Sequence, residues 1–367
     1  MSNDTVPTAT RTRLARSVLR NNLEVKPGER VLIEAWTHTL PWAVSFAREA
    51  RRIGAQPLLL YEDEPAYWDA VDDGEFKVLG KPAAHEWAAL GKTDVFVHFW
   101  GAGDRLRYSK LPEARANQLF EFNMPWYAAA AKAGLRGARM EVGRPYPNLA
   151  RLYRLDETKW RDQLIRATMV EPASLSRRAT PIVKALERGK RVRIRDDHGT
   201  DLTLGLARRH ARADTGHSGP AERKRPFGML FTLPSGAIRV PVDETVADGT
   251  IVANRPSYYD DGTATGGTFR FRNGKLTDAG FEQGGERFDR TFKTGGKGRD
   301  RPGYLSIGLN PQLENAPQIE DVECGAVMVT VGGNRNLGGS NASPFFGWVV
   351  NVGATVEVDG REITPHR

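Results

Sequence analysis

Apolar positions along the chain change their period once. In the first half they come in blocks that alternate between helical and extended spacing. Leu14, Ala15, Val18 and Leu19 share one helical face. Lys26-Pro27-Gly28 closes that block and opens Val31-Leu32-Ile33, a short apolar strand. Pro41 stands where a first helical turn tolerates it, Trp42 to Ile53 is amphipathic, and Gly54 stops the helix. Pro57 to Tyr61 is the next strand. Short links on either side of the helix imply parallel pairing through a right-handed crossover. Asp94 to Phe99 predicts another buried strand, 112–132 a helix ended by Gly134, and 138–142 a further strand. Residues 1–170 therefore predict a Rossmann-like α/β domain.

Residues 171–367 have a different pattern. A helix over about 174–188 leads into strands at 192–194 and 202–206. Short apolar runs then alternate with glycine pairs at 266–267, 284–285, 295–296 and 332–333. Strands this short, punctuated this way, predict a β-rich domain with a twisted sheet or partial barrel. One weak helix is expected near Glu314, and 293–301 is an exposed flexible loop by composition.

Composition narrows the function classes. The 367 residues include 40% hydrophobic and 27% charged side chains, an ordinary globular balance. No apolar run reaches the ~18–20 residues of a membrane helix. The first twenty residues hold arginines without the apolar centre of a signal peptide. Cys324 is the one cysteine, so no internal disulfide forms; a reducing, cytoplasmic location and an inert core thiol are expected. The net charge of +8 is spread along the chain without a basic run or an aromatic platform, which argues against a nucleic-acid partner.

Five stretches, in order, resemble the aminopeptidase T-like (thermophilic) metallopeptidase family. They are Val25 to Ile33; Gly189 to Ile194 with Gly199-Thr200-Asp201-Leu202; Leu233-Pro234-Ser235-Gly236; Ile307 to Pro311; and Gly338-Gly339-Ser340-Asn341. The resemblance implies a Rossmann-like N-terminal domain, a β-rich C-terminal domain carrying two metal ions, and a homodimer. It also marks the metal-holding positions. Here these are Ala237, Tyr304 or Leu305, Met328, Phe346 and Trp348, where the family has glutamates, histidines and an aspartate. None of these replacements suits a hard divalent ion. The expectation is a divergent member with no metal or other cofactor. A ring-cleaving dihydroxypyridine dioxygenase of similar scaffold relies on the same final pair.

The replacements are large, soft or aromatic, so a pocket for a small aromatic or anionic substrate is expected in place of the ions. Met328, Phe346, Trp348, Arg239, Asn334 and Asn341 are its expected binding residues. The glycine-rich 332–339 loop offers Arg335 to a carboxylate or phosphate. His217, in a polar loop, is the candidate base, with Tyr304 and Arg335 as further catalytic candidates. An alternative is a metal-dependent hydrolase rebuilt from Glu244, His217, Asp260, Asp261, Glu282 and Glu286. A non-catalytic binding protein is a third reading. His98 ends a buried strand, where open α/β sheets face their ligand crevice. Gly101-Ala102-Gly103 after it is a weak phosphate signal.

Overall fold

The structure is a computed structural model, and it describes residues 6–81, 83–224 and 228–365. The chain divides into two compact units: residues up to 169 together with 216–234, and residues 170–215 together with 235–367.

The first unit is built on a five-stranded parallel sheet. Its order is Gln56–Glu62, Arg30–Trp36, Val95–Phe99, Arg136–Met140, Leu230–Leu233. The helix Leu40–Ile53 ends at Gly54, whose φ of 90° needs no Cβ to avoid a clash. It buries Trp42, Ala43, Phe46 and Ala50, and Phe46 meets Phe99 of the sheet edge-on at 5.3 Å. The region expected to be one helix over 112–132 is two helices, Glu113–Leu119 and Asn123–Ala133. Pro125 explains the break: it has no amide hydrogen to give Glu121, and its ring would crowd that carbonyl. The last strand comes from 216–234, a segment that sequence reading leaves with the second half. Its apolar Leu230-Phe231 run pairs with a strand about ninety residues earlier, a non-local contact that periodicity cannot reveal.

The second unit contains two antiparallel sheets. The larger has the order Lys275–Gly280, Thr268–Arg272, Ala247–Val252, Asp201–Gly205, Arg191–Arg195, Thr355–Val358, Arg361–Glu362. The smaller has the order Phe346–Val352, Ala326–Gly332, Pro302–Gly308, Ala237–Pro241, Arg212–Asp214. Val192, Ile194, Leu202 and Leu204 of the larger sheet share one core with Ile238, Val240, Leu305, Val327 and Val329 of the smaller. The helix Pro172–Arg188 adds Leu175, Ile182 and Leu186.

Three local expectations change. No helix forms near Glu314; that region is turns and a 3-10 turn at Glu320–Val322. A helix does form at Glu286–Thr294, where Phe288 and Phe292, four residues apart, stack at 5.6 Å. The 293–301 loop is held at several points. Ser343 Oγ donates to Gly295 O at 2.7 Å, Asn341 Nδ2 to Gly298 O at 2.8 Å and Arg301 to Gly274 O at 2.9 Å. Cys324 is buried, as expected of a core thiol. Among the described residues no helix is long and apolar enough to cross a membrane.

Candidate functional site

The smaller sheet of the second unit has one face in the core and one face turned away from it. Along Ala326–Gly332, alternation sends Val327, Val329 and Val331 inward and Met328 and Thr330 outward. Register carries this across the sheet. Met328 lies between Ser306 and Val350, Thr330 opposite Trp348, and Gly332 opposite Phe346. Ser306 pairs in turn with Arg239, and Gly308 with Ala237. Leu305 is in the core, so of the two residues at the ambiguous position it is Tyr304 that takes the outer face. Tyr304, Met328 and Val350 form a small apolar cluster there, with Trp348 and Leu337 packed against it. The five positions marked by the resemblance thus fall on one face.

Aromatic rings form one side of this face. Tyr304 stacks on Phe346 with centroids 5.7 Å apart and planes 23° apart. Phe346 lies 5.3 Å from Trp348, and Trp348 lies 4.8 Å from Tyr259 of Ser257–Tyr259. Ser257 Oγ donates to Trp348 O at 3.1 Å, which ties the added strand to the sheet edge. Tyr304 is 9% and Met328 5% exposed, but Phe346 is 43% exposed. The cluster is therefore closed at its base and open at Phe346. The Trp348 indole N–H is buried and has no hydrogen-bond partner among the described residues.

Polar groups form the other side. Arg239 Nε donates to Asp321 Oδ2 at 2.7 Å, and Ser306 Oγ donates to the same oxygen at 2.8 Å. Asp214 stands 3.9 Å from the other end of the guanidinium. Burial alone would lower the pKa of Arg239, but Asp321 outweighs it and the net shift is upward. Burial, aided by Asp321, raises the Tyr304 phenol, so that hydroxyl keeps its proton at neutral pH and can donate it in a hydrogen bond. Asp321, Asp214 and Ser306 were missed by sequence reading. Alternation could have put Ser306 beside Arg239, but Asp321 comes from a 3-10 turn whose placement is purely tertiary.

The remaining candidates have other partners. His217 belongs to the first unit, where its Nδ1 is 3.4 Å from Asn22 O. Arg335 is exposed on the turn Arg335–Leu337. Asn334 and Asn341 are spent on the loop itself. Asn334 donates to Glu244 at 2.8 Å and to Gly303 O at 2.9 Å, and accepts from Asn341 N at 2.9 Å. Asn341 donates to Gly298 O and Gly332 O at 2.8 and 2.7 Å. The glycine-rich loop is thus held by side-chain amides rather than presented to an anion. Glu244 is bound by Arg209 at 2.7 Å on both oxygens. Burial favours its neutral form, yet Arg209, the Ser340 N–H and Asn334 hold its carboxyl down at about 2. Asp261 pairs with Arg287 at 2.5 Å. Among the described residues no three His, Cys, Asp or Glu side chains are grouped to hold a metal ion.

Known proteins share this architecture. AmpT from Thermus thermophilus is 18% identical, with a TM-score of 0.71, over 98% of this chain and 98% of that one. The 2,5-dihydroxypyridine dioxygenase from Pseudomonas putida KT2440 is 16% identical, with a TM-score of 0.64, over 97% of this chain and 96% of that one. Identities this low speak for the fold alone. Among curated proteins none matches the chain in sequence. The model of the thermophilic metalloprotease (M29) family matches residues 8–307, most of the chain, and the protein belongs to that family.

Proposed function

We propose that this protein is an enzyme that has kept the metallopeptidase scaffold and works on a small aromatic molecule without a dinuclear metal centre. One observation carries the reading. The positions where the family's metal ligands are expected share a single sheet face, and they hold Ala237, Tyr304, Met328, Phe346 and Trp348. A methyl, a protonated phenol, a thioether and two arenes do not fit a pair of hard divalent ions. The nearby carboxylates do not make good the loss, because Asp321 and Asp214 both face Arg239.

The same side chains suit a flat ring. Phe346 offers an exposed edge to stack on, Trp348 and Tyr259 continue the wall, and Met328 fills the base with a soft surface. The Tyr304 hydroxyl donates a hydrogen bond to a ligand oxygen or nitrogen, and Arg239, fixed by Asp321, sets the polar end. The dioxygenase of similar fold takes its name from a flat heteroaromatic ring. The anionic half of the expectation has less support, since Arg239 is already flanked by two carboxylates and Arg335 is exposed on its turn.

A second reading is a non-catalytic binding protein. It is favoured by the saturation of Arg239, Asp321 and Ser306 with one another, which leaves no evident general base. Titration calorimetry with phenols and pyridinols tests the shared core of both readings. Binding that is lost in Trp348→Ala supports the aromatic site. Absence of binding by every such ring refutes it. Turnover of a bound ligand then separates the enzyme from the binding protein.

A further inference from the structure

The first unit carries a second constellation that the aromatic face does not use. In its sheet, Arg30–Trp36 has Gln56–Glu62 on one side and Val95–Phe99 on the other. The winding therefore reverses between Arg30–Trp36 and Val95–Phe99. In open parallel sheets ligands bind at that reversal, at the carboxyl ends of the strands. At that level, register aligns Glu34, His98, Arg139 and Thr232 across four neighbouring strands on one face.

Parallel sheets are ordinarily covered on both faces. One step earlier along these strands the same face is covered, with Leu32, Phe96 and Leu230 packed under Ala130, Trp126 and Tyr127. At the polar row the cover gives out. His98 and Glu34 side chains are 19% and 27% exposed, and Arg139 and Trp100 are partly exposed as well.

The charges here are unevenly matched. His98 Nδ1 lies 3.5 Å from Glu34. Glu141 accepts from Trp100 Nε1 at 2.7 Å and is bound by Arg144. Arg105 donates to Gly101 O at 3.3 Å. The Arg139 side chain alone of this group makes no hydrogen bond or ion pair with any described residue. Its guanidinium sits 5.9 Å from the Trp100 ring centre and 5.5 Å from that of Tyr127. Burial lowers its pKa, with only Glu141 acting against that. A partly exposed guanidinium on an inner strand, without an acceptor from the protein, is open to an anionic ligand. The Asp104 N–H that follows the glycine turn donates to Glu64 at 2.7 Å.

We propose that Arg139 anchors a second small-molecule site, which takes the oxyanion of a carboxylate or phosphate, with His98 and Trp100 as its walls. The guanidinium fork matches either group in bidentate fashion. The test is titration calorimetry on the full chain with inorganic phosphate, benzoate and, as an uncharged control, benzyl alcohol. At least one anion is expected to bind, and Arg139→Gln is expected to weaken it by at least about tenfold. Arg193→Gln, at an exposed arginine of the other unit that belongs to neither site, should leave that binding unchanged. Phosphate alone would point to a phosphate ester as ligand, benzoate alone to a carboxylic acid. Should Arg139→Gln fail to fold, Arg139→Lys keeps the charge without the fork and should still weaken binding several-fold. The proposal is overturned if neither anion binds, if the Arg139 variants bind like the parent, or if binding depends on Phe346 and not on Arg139. The last result would also leave the aromatic site standing.

Discussion

Arg239 reaches past its own strand to donate from Nε to Oδ2 of Asp321 at 2.7 Å, and this pair is the polar anchor of the outer sheet face. Asp321 is 5% exposed, so removing its charge strands the guanidinium against a half-buried wall. Asp321→Ala should cost about 3 kcal/mol, the low end of the range for breaking a buried pair, because Arg239 is partly exposed. The double variant Arg239→Met/Asp321→Leu should recover part of that loss. Thermal or urea unfolding of the three proteins checks this. Equal loss in the single and double variants would mean the pair is not coupled.

Phe346 and Trp348 separate binding from stability. Phe346 is 43% exposed, so Phe346→Ala should change stability by only about 0.5 kcal/mol, as surface substitutions do, yet weaken an aromatic ligand markedly. Trp348→Ala should cost more stability, up to ~3 kcal/mol, and abolish binding. Denaturant unfolding beside calorimetry checks both. If the two variants lose stability and leave binding intact, these rings are extra core and not a site.

Tyr304→Phe keeps the stack on Phe346 and removes only the hydroxyl. A lost hydrogen bond of about 1 kcal/mol should weaken a ring carrying an oxygen or nitrogen acceptor roughly five- to tenfold. A plain hydrocarbon ring should be indifferent to the change. Paired titrations of the two ligands decide it; a uniform loss would assign the effect to packing.

Glu244 makes a pH prediction. Its carboxyl is held at about 2, below the ordinary 4.5. A lowered carboxylate contributes stability that is present above the unfolded value and is lost as pH falls through the folded one. The contribution should therefore fade between pH 4.5 and about 2. Over that window the melting temperature of Glu244→Gln should fall less steeply than that of the parent. Parallel melting curves with the same slope would show that Arg209 and the loop amides do not hold this charge.

Much of the architecture was readable because it is local. The strand–helix–strand pattern of residues 30–62 follows from apolar spacing and from Gly54. The split helix was equally available at Pro125, whose missing amide is a local fact. Other features depend on contacts far apart in the chain. Leu230–Leu233 looks like any short apolar run until it finds its parallel neighbour. The aromatic face was legible for a different reason. Period-two alternation forces Tyr304, Met328, Phe346 and Trp348 outward together once the strands are in register, and it also rejects Leu305. Asp321 and Asp214 left no such trace, since one lies in a turn and the other on a three-residue edge strand. That His217 belongs to the first unit was not legible, because a polar loop histidine looks the same whichever unit its loop joins. The loop amides Asn334 and Asn341 misled because side chains that bind backbone and side chains that bind ligand are the same residue types.

The most direct test of the whole account is the metal content of the purified full-length protein, measured by inductively coupled plasma mass spectrometry. Expression would be carried out with zinc, cobalt, manganese and iron supplied in turn, followed by dialysis. The account predicts only trace metal in every preparation, with aromatic ligands binding regardless of which metal was supplied. Near-stoichiometric metal that survives dialysis would contradict it and return the protein to its family's chemistry.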